Sequence, residues 1–280
     1  MQTSTRTDED RTPEIEDRSL WGWVHDHHQQ AYLAGTAVLA GLYALSAPPG
    51  RRLERWAQAF GGAVAVGAVL DPLVNPGNPG LSRVHVHGPR GRRAVALTFD
   101  DGPEPPYTER VLDILGEFGV KATFFVVGSQ VLHHPGLARR ILDEGHLLGN
   151  HTHSHPNLLL RSPGAAREEL ALASASIERV TGIWPQWFRP PFGFRYPWNV
   201  IQAARLGQAT VTWSLNPRDF ENPPPDVLAQ RVLRQARSGD IVLLHDGMRD
   251  QSCTVAALPT ILRELARQSF ELLRVDQLLA

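Results

Sequence analysis

Two short runs of this chain carry residue types that could perform chemistry. One places the carboxylates of Asp100 and Asp101 side by side at the end of an apolar run. The other places His151 and His155 four positions apart, with a third imidazole between them. One aspartate with two histidines is a common ligand set for a divalent metal that keeps a coordination position open for water. Because the second aspartate would lie beside this metal and could act as a base, the two runs predict a metal-dependent hydrolase.

The elements that must position these residues begin at residue 94, where short apolar runs alternate with helical patterns over about 185 residues. Such alternation predicts parallel strands covered by helices, an α/β fold. In a (β/α) barrel, the carboxyl ends of the strands carry the active site. The polar residues of interest all stand at or just after the ends of predicted strands: Asp100, Asp101, His151, Arg189 and His245.

The spacing of apolar residues gives approximate bounds for these elements. The predicted strands cover residues 94–98, 120–127, 147–149, 186–188, 209–214, 241–244 and 271–274. The predicted helices cover residues 108–118, 131–144, 163–181, 197–206, 225–237 and 255–268.

Two further segments complete the pattern. Arg189 stands in a proline-rich turn at 188–193, and His245 follows a fully apolar strand. With these motifs in order, residues 93–275 resemble the polysaccharide deacetylase family, also called the NodB-like domain or carbohydrate esterase family 4. The resemblance implies a distorted (β/α) barrel of the polysaccharide deacetylase type. It also implies hydrolytic removal of N-acetyl groups from amino-sugar polymers, with a glycan as the substrate.

The resemblance also implies roles for individual residues. Asp101, His151 and His155 match the family's metal ligands, and the metal is typically Zn²⁺, with other divalent ions such as Co²⁺ as alternatives. Asp100 matches the general base that deprotonates water at the metal, and His245 matches the general acid that protonates the departing amine.

Four other residues match supporting positions of the family. Arg189 corresponds to an arginine that holds neighbouring carboxylates in place, and Pro191 belongs to the same turn. The backbone N–H of Phe192 matches a donor to the oxyanion, and Leu243 matches a leucine that lines the acetyl pocket. Trp213 and Phe220 are candidate walls for a sugar ring, with core packing as the alternative role of both.

One motif departs from the family pattern. Asn216 stands where the family usually has aspartate, and Phe220 stands where tryptophan is usual, whereas Asp219 is retained. In the family the first aspartate is thought to pair with the acid histidine. An amide cannot stabilise an imidazolium by charge, so we expect a lowered pKa for His245 and a shifted pH optimum.

The N-terminal region has a different composition. An uncharged run from Gln29 to Gly50 is about as long as a membrane-spanning helix, and three arginines separate it from a second, shorter apolar run. If both helices span, the positive-inside rule places the C-terminal domain outside the cytoplasm, anchored to the membrane. The alternative is a soluble protein with a packed apolar helical hairpin. The predicted organisation is an acidic segment at 1–28, two apolar helices at 29–74, a linker at 75–92 and the catalytic domain at 93–280.

Composition excludes some partners and kinds of site. Lys+Arg 28 against Asp+Glu 29 gives a net charge of −1, so nothing indicates a nucleic-acid partner. The single cysteine, Cys253, excludes an internal disulfide framework and a multi-cysteine metal site. Two alternatives to glycan deacetylation stay open: hydrolysis of a non-sugar amide on the same fold, and a catalytically weak carbohydrate-binding relative. The oligomeric state cannot be inferred from the sequence.

Overall fold

The structure is a computed structural model that describes residues 84–280 and the single residue Gln58. The acidic segment predicted at 1–28 and the apolar helices predicted at 29–74 lie outside the described residues, apart from Gln58. Among the residues that are described, no helix is both long enough and apolar enough to cross a membrane.

The described chain alternates eight strands with eight helices. The strands are β1 Val84–His85, β2 Ala94–Asp100, β3 Thr123–Val126, β4 Leu147–Asn150, β5 Trp187–Phe188, β6 Ala209–Val211, β7 Ile241–His245 and β8 Glu271–Leu273. The helices are α1 Tyr107–Glu117, α2 Gly128–His133, α3 Pro135–Asp143, α4 Pro163–Thr181, α5 Pro197–Arg205, α6 Pro225–Gln235, α7 Ser252–Arg267 and α8 Val275–Leu279. Short 3₁₀ turns occur at Leu158–Leu160, Pro191–Gly193 and Asp219–Glu221.

The strands form one parallel sheet in the order β1-β6-β5-β4-β3-β2-β7, and β8 pairs with the first half of β2. Beyond β6, Leu215 forms a parallel bridge with Val242 of β7, and the N–H of Leu243 donates to the Leu215 carbonyl at 2.9 Å. The segment after β6, the second strand from one end of the sheet, is thereby joined to β7, the strand at the other end. The carboxyl ends of all the strands point the same way, so they form one edge of the sheet, as the sequence predicts.

Strand β2 shows how the sequence fills both sides of this sheet. All seven of its residues are buried, because helices cover one face and the inward side chains cover the other. Val95, Leu97 and Phe99 pack in the cluster that includes α1 and α7. Ala94 and Ala96 face a second cluster, on the opposite side. The period of two carries Thr98 and Asp100 onto that second face.

The bounds of helix α4 show how local sequence sets the ends of an element. The Ser162 hydroxyl caps the first turn by accepting a hydrogen bond from the N–H of Ala165, and Pro163 occupies the first helical position. Gly182 ends the helix in the left-handed region, with a φ of 74°. The predicted bounds for this helix are confirmed.

The other predicted bounds differ from the structure by at most three residues, except in the helix predicted at 131–144. That prediction is wrong, because α2 ends at His133 and α3 begins at Pro135. Proline has no N–H to donate and disfavours helical geometry at the preceding residue, and His134 accordingly has φ −124° and ψ 57°. The assigned linker 75–92 contains β1, which pairs with β6, and α8 has no counterpart in the predicted elements.

Candidate active site

Asp101, His151 and His155 meet at the carboxyl edge of the sheet. Asp101 follows β2 directly, and the two histidines begin and end the loop after β4. The Oδ1 atom of Asp101 lies 3.4 Å from Nε2 of His151 and 3.2 Å from Nε2 of His155. Burial raises the pKa of Asp101, but the nearby His155, His151 and His245 outweigh it and hold that pKa well below its ordinary value. The three predicted ligands therefore form one cluster.

A backbone carbonyl group holds the ring of His151 in one orientation. Its Nδ1 lies 2.7 Å from the backbone carbonyl oxygen of Arg189, which can only accept, so Nδ1 carries the proton. Nε2 is then left with a lone pair that points toward Asp101. The ring of His155 packs edge-on against Phe192, with the ring centroids 4.9 Å apart. These contacts fix the orientation of both imidazoles beside Asp101.

The donor set fits a divalent metal. Oδ1 of Asp101 is buried and accepts no hydrogen bond from the described residues, although a buried carboxylate oxygen normally has a partner. With bonds of about 2.0–2.1 Å, the ligands of a tetrahedral ion lie about 3.3 Å apart, which is close to the two observed separations. The three ligand atoms all lie within 4.8 Å of one another. His153, between the two ligand histidines, is not part of this group.

Asp100 is held by a buried arginine. Nη1 of Arg189 donates to Oδ1 of Asp100 and to the Thr98 hydroxyl, both at 2.7 Å, and Nη2 donates to the carbonyl of Thr212 at 2.9 Å. The guanidinium lies over the ring of Phe125, 4.1 Å from its centroid. Burial lowers the pKa of Arg189 and the Asp100 carboxylate opposes this change. Arg189 thus fixes one oxygen of Asp100, and the other, Oδ2, lies 3.8 Å from Nε2 of His151.

His245 stands at the end of β7, beside β2, where its Cα pairs in register with that of Asp100. Its Nδ1 lies 2.8 Å from Oδ1 of Asp219, and its backbone N–H donates to Oδ2 of Asp219 at 2.7 Å. Burial lowers the pKa of His245, but the Asp219 carboxylate, with smaller contributions from Asp101 and Asp100, raises the pKa to about 10. The ring is therefore a strongly stabilised imidazolium.

This geometry corrects the role expected for Asn216. The Oδ1 atom of Asn216 accepts a hydrogen bond from the N–H of Arg218 at 2.9 Å, closing a local turn. Asp219, in the 3₁₀ turn that follows, pairs with His245 instead. The expectation of a lowered pKa for His245 is wrong, because the carboxylate that raises this pKa comes from Asp219.

The remaining predicted residues lie around this cluster. Pro191 and Phe192 form the 3₁₀ turn after β5, where Phe192 has a φ of 61°. Leu243 is buried in β7, in register with Thr98. Trp213 is partly buried against the second apolar cluster, which contains Ala94 and Ala96, and its ring centroid lies 5.7 Å from Cζ of Arg189.

Asp246 is a buried residue beside the site for which the sequence pattern predicts no role. Its carboxylate accepts hydrogen bonds from the N–H of Gly102 at 3.2 Å and the hydroxyl of Thr108 at 2.6 Å, and its own N–H donates to the Asp100 carbonyl. Burial is the main cause that raises the pKa of Asp246 to about 7. A Cβ at Gly102 would lie 2.4 Å from Oδ2 of Asp246, so a larger residue at 102 would displace this carboxylate. Asp246 therefore anchors the turn that carries Asp101. Its position next to His245 in the sequence was the signal that could have indicated this role.

Comparisons with known proteins agree with this site. Residues 87–211 match the family model for polysaccharide deacetylase. A peptidoglycan-N-acetylglucosamine deacetylase from Bacillus cereus is 41% identical over 196 residues, which cover 68% of this chain and 90% of that protein. A chitooligosaccharide deacetylase from a Bradyrhizobium species is 40% identical over 200 residues, which cover 67% of this chain and 91% of that protein.

Solved structures of the family include an informative neighbour. A pseudoenzyme of carbohydrate esterase family 4 from Bacillus anthracis has a TM-score of 0.68 and 33% identity, over 71% of this chain and 70% of that chain. A mutant of that pseudoenzyme with restored enzymatic activity has a TM-score of 0.67 and 35% identity, over 71% and 72% of the respective chains. The α/β fold with a parallel sheet is common to them and this protein. By fold and by sequence, the chain belongs to the polysaccharide deacetylase family.

Proposed function

We propose that this protein is a metal-dependent hydrolase that removes N-acetyl groups from an amino-sugar polymer or oligomer. The observation that carries this proposal is the arrangement of three groups at one sheet edge. The orphaned carboxylate oxygen of Asp101 lies between two histidine nitrogens, Asp100 is fixed beside them by Arg189, and the imidazolium of His245 stands on the neighbouring strand. A pseudoenzyme is free to lose any of these groups, and this chain has kept all of them.

Asp101, His151 and His155 would hold the metal, and two nitrogens with one carboxylate suit Zn²⁺, with Co²⁺ as an alternative. A divalent ion held by these three residues would supply a lowered pKa for water and polarisation of a carbonyl. Asp100 is the proposed base. Its Oδ1 is occupied by Arg189, so Oδ2 is the oxygen that accepts the proton. Arg189 also holds the Asp100 carboxylate in place through an ion pair of 2.7 Å.

His245 is the proposed acid. Its Nδ1 proton is committed to Asp219, so the proton on Nε2 is the one that can be delivered to the departing amine nitrogen. Without that delivery the leaving group would be an amine anion, which is a very poor leaving group. The Asp219 carboxylate, on the opposite side of the ring from Nε2, stabilises the charged imidazolium and fixes the direction in which Nε2 points.

The turn at 191–193 and strand β7 supply the rest of the proposed pocket. The backbone N–H of Phe192 is the proposed donor to the oxyanion, supported by a left-handed backbone that turns this peptide sharply beside His155. Leu243 is the proposed wall for the acetyl methyl group. The bridge between Leu215 and Val242 supports description of the sheet as a distorted (β/α) barrel.

The substrate and location are proposed on different grounds. Relatives named for peptidoglycan N-acetylglucosamine and for chitooligosaccharides favour a glycan over a non-sugar amide. The uncharged run at 29–50 of the sequence supports membrane anchoring through the N-terminal apolar hairpin, with the catalytic domain outside the cytoplasm.

The test is acetate release from chitooligosaccharides and from peptidoglycan fragments. We would compare metal-stripped protein, the same protein with zinc restored, Asp100→Asn, and Asp143→Asn as a control at an exposed carboxylate on α3. We expect release only with metal, a large loss in Asp100→Asn and none in Asp143→Asn. Stoichiometric zinc without release from either glycan would overturn the deacetylase proposal.

A further inference from the structure

A single carboxylate on helix α4 holds the middle of the ligand loop. Oε2 of Glu169 accepts hydrogen bonds from the backbone N–H of His153 at 3.0 Å and of Ser154 at 2.9 Å. Oε1 of Glu169 accepts from the Ser154 hydroxyl at 2.8 Å. Both residues held by Glu169 lie between the ligands His151 and His155.

The loop needs such an anchor because its backbone is unusual. Thr152 and His155 both have positive φ, 68° and 53°, in a region that residues with side chains rarely adopt. Such conformations persist only when the surroundings over-determine them. Glu169 supplies three contacts from one side of the loop.

Helix α2 supplies the contacts on the other side. The N–H of Gly128 donates to the Thr152 carbonyl at 2.9 Å, and the N–H of Ser129 donates to the His153 carbonyl at 3.0 Å. A Cβ at Gly128 would lie 2.8 Å from Nδ1 of His153, so the loop packs closely on α2. The loop is thus clamped between α2 and α4.

We propose that Glu169 is a positioning residue that sets the separation of His151 and His155, and through it the affinity of the metal site. This inference depends on the metal site of the proposed function. Glu169 acts through backbone N–H groups of the loop and needs no contact with metal or substrate. The acceptor geometry therefore matters more than the negative charge.

The test measures zinc affinity of the full chain by competition with a chelator, without substrate. Glu169→Ala removes all three contacts, and we expect it to weaken zinc binding about 10- to 100-fold, as for loss of an outer-shell partner. Glu169→Gln keeps an oxygen for the two N–H donors and an amide for the Ser154 hydroxyl, so we expect most of the affinity to return. Glu168→Ala is the matched control, because Glu168 is the exposed neighbour on the same helix.

Cobalt-substituted protein gives a second readout, since the visible spectrum of Co²⁺ depends on ligand geometry. We expect an altered spectrum for Glu169→Ala and an unchanged one for Glu168→Ala. If Glu169→Ala does not fold, Ser154→Ala removes one contact alone and should weaken zinc binding a few-fold.

The outcomes separate this inference from the proposed function. Wild-type affinity in Glu169→Ala or, where that variant does not fold, in Ser154→Ala would overturn the positioning role and leave the metal site standing. An equal loss in Glu169→Gln and Glu169→Ala would also overturn it, since charge rather than geometry would then matter. Absence of zinc binding in the wild-type protein would overturn the metal site and this inference with it.

Discussion

Asp219 holds His245 at two points, through the ring Nδ1 at 2.8 Å and through the backbone N–H at 2.7 Å. The carboxylate is itself fixed, because Oδ2 also accepts from the hydroxyl of Thr254 and Oδ1 from the N–H of Phe220, both at 3.0 Å. Position, protonation and direction of the imidazole therefore depend on one buried side chain.

Replacement of that carboxylate by an amide should change the pH profile. Burial lowers the pKa of His245 and Asp219 is the leading cause that raises it to about 10, so Asp219→Asn should lower this pKa by about one unit or more. A general acid must be protonated, so activity should be lost at a lower pH than in the wild type. The measurement is kcat/KM between about pH 6 and pH 10. An alkaline limb that does not move would contradict the assignment of His245 as the acid.

Asn216→Asp should leave the same profile unchanged. The side chain of Asn216 closes a turn through the N–H of Arg218, and an aspartate oxygen can accept that bond equally well. Since Asp219 already pairs with His245, a second carboxylate at 216 gives the ring no new partner. The profile is measured beside that of Asp219→Asn, and a shift of similar size in both variants would show that residue 216 also reaches the ring.

The sequence was informative wherever a polar residue ended a buried apolar run. Asp100 and His245 follow strands whose apolar residues are readable as such, and parallel strands bring their carboxyl ends to one edge. The spacing of His151 and His155 predicted a shared site, and their nitrogens do lie beside Oδ1 of Asp101. Regular elements and the residues at their ends were therefore predictable.

Partners supplied by irregular segments were not predictable. Arg218 and Asn222 have φ values of 61° and 50°, and these turns decide that Asp219 rather than Asn216 faces His245. No local pattern marks Glu169 among the charged residues of α4, because its contacts lie 15 and 16 residues away. The break before Pro135, in contrast, had a readable signal in the proline itself.

The pair of Arg189 and Asp100 allows a stability test. Removal of one partner leaves the other charge buried and unpaired, so Arg189→Met should lower the free energy of unfolding by about 3–5 kcal/mol. Asp100→Asn combined with Arg189→Met removes both charges and should recover part of that loss while staying inactive. Urea denaturation measures both variants, with Arg267→Met as a control that should cost no more than about 1 kcal/mol. Arg267 is suitable because its ion pair with Glu264 is largely exposed. A double variant no more stable than Arg189→Met would show that the charge pair is not the cause.

A buried histidine far from the site should limit stability in acid. Nδ1 of His146 accepts the N–H of Ala122 at 3.0 Å, so the ring is neutral with its proton on Nε2. Burial is the main cause that lowers the pKa of His146 from 6.5 to about 4, with a further contribution from Lys121. The unfolded chain therefore binds a proton between those two pH values that the folded chain does not bind.

Because the folded pKa is the lower one, this contribution to stability is complete above pH 6.5 and is lost as the pH falls toward 4. The loss should reach up to about 3 kcal/mol. In His146→Asn an amide oxygen can accept the Ala122 N–H without titrating, so the variant should lose less stability across this window. The measurement is the free energy of unfolding in urea at about pH 7.5 and pH 4.5 for both proteins. An equal fall in the two proteins would assign the acid sensitivity to the carboxylates instead.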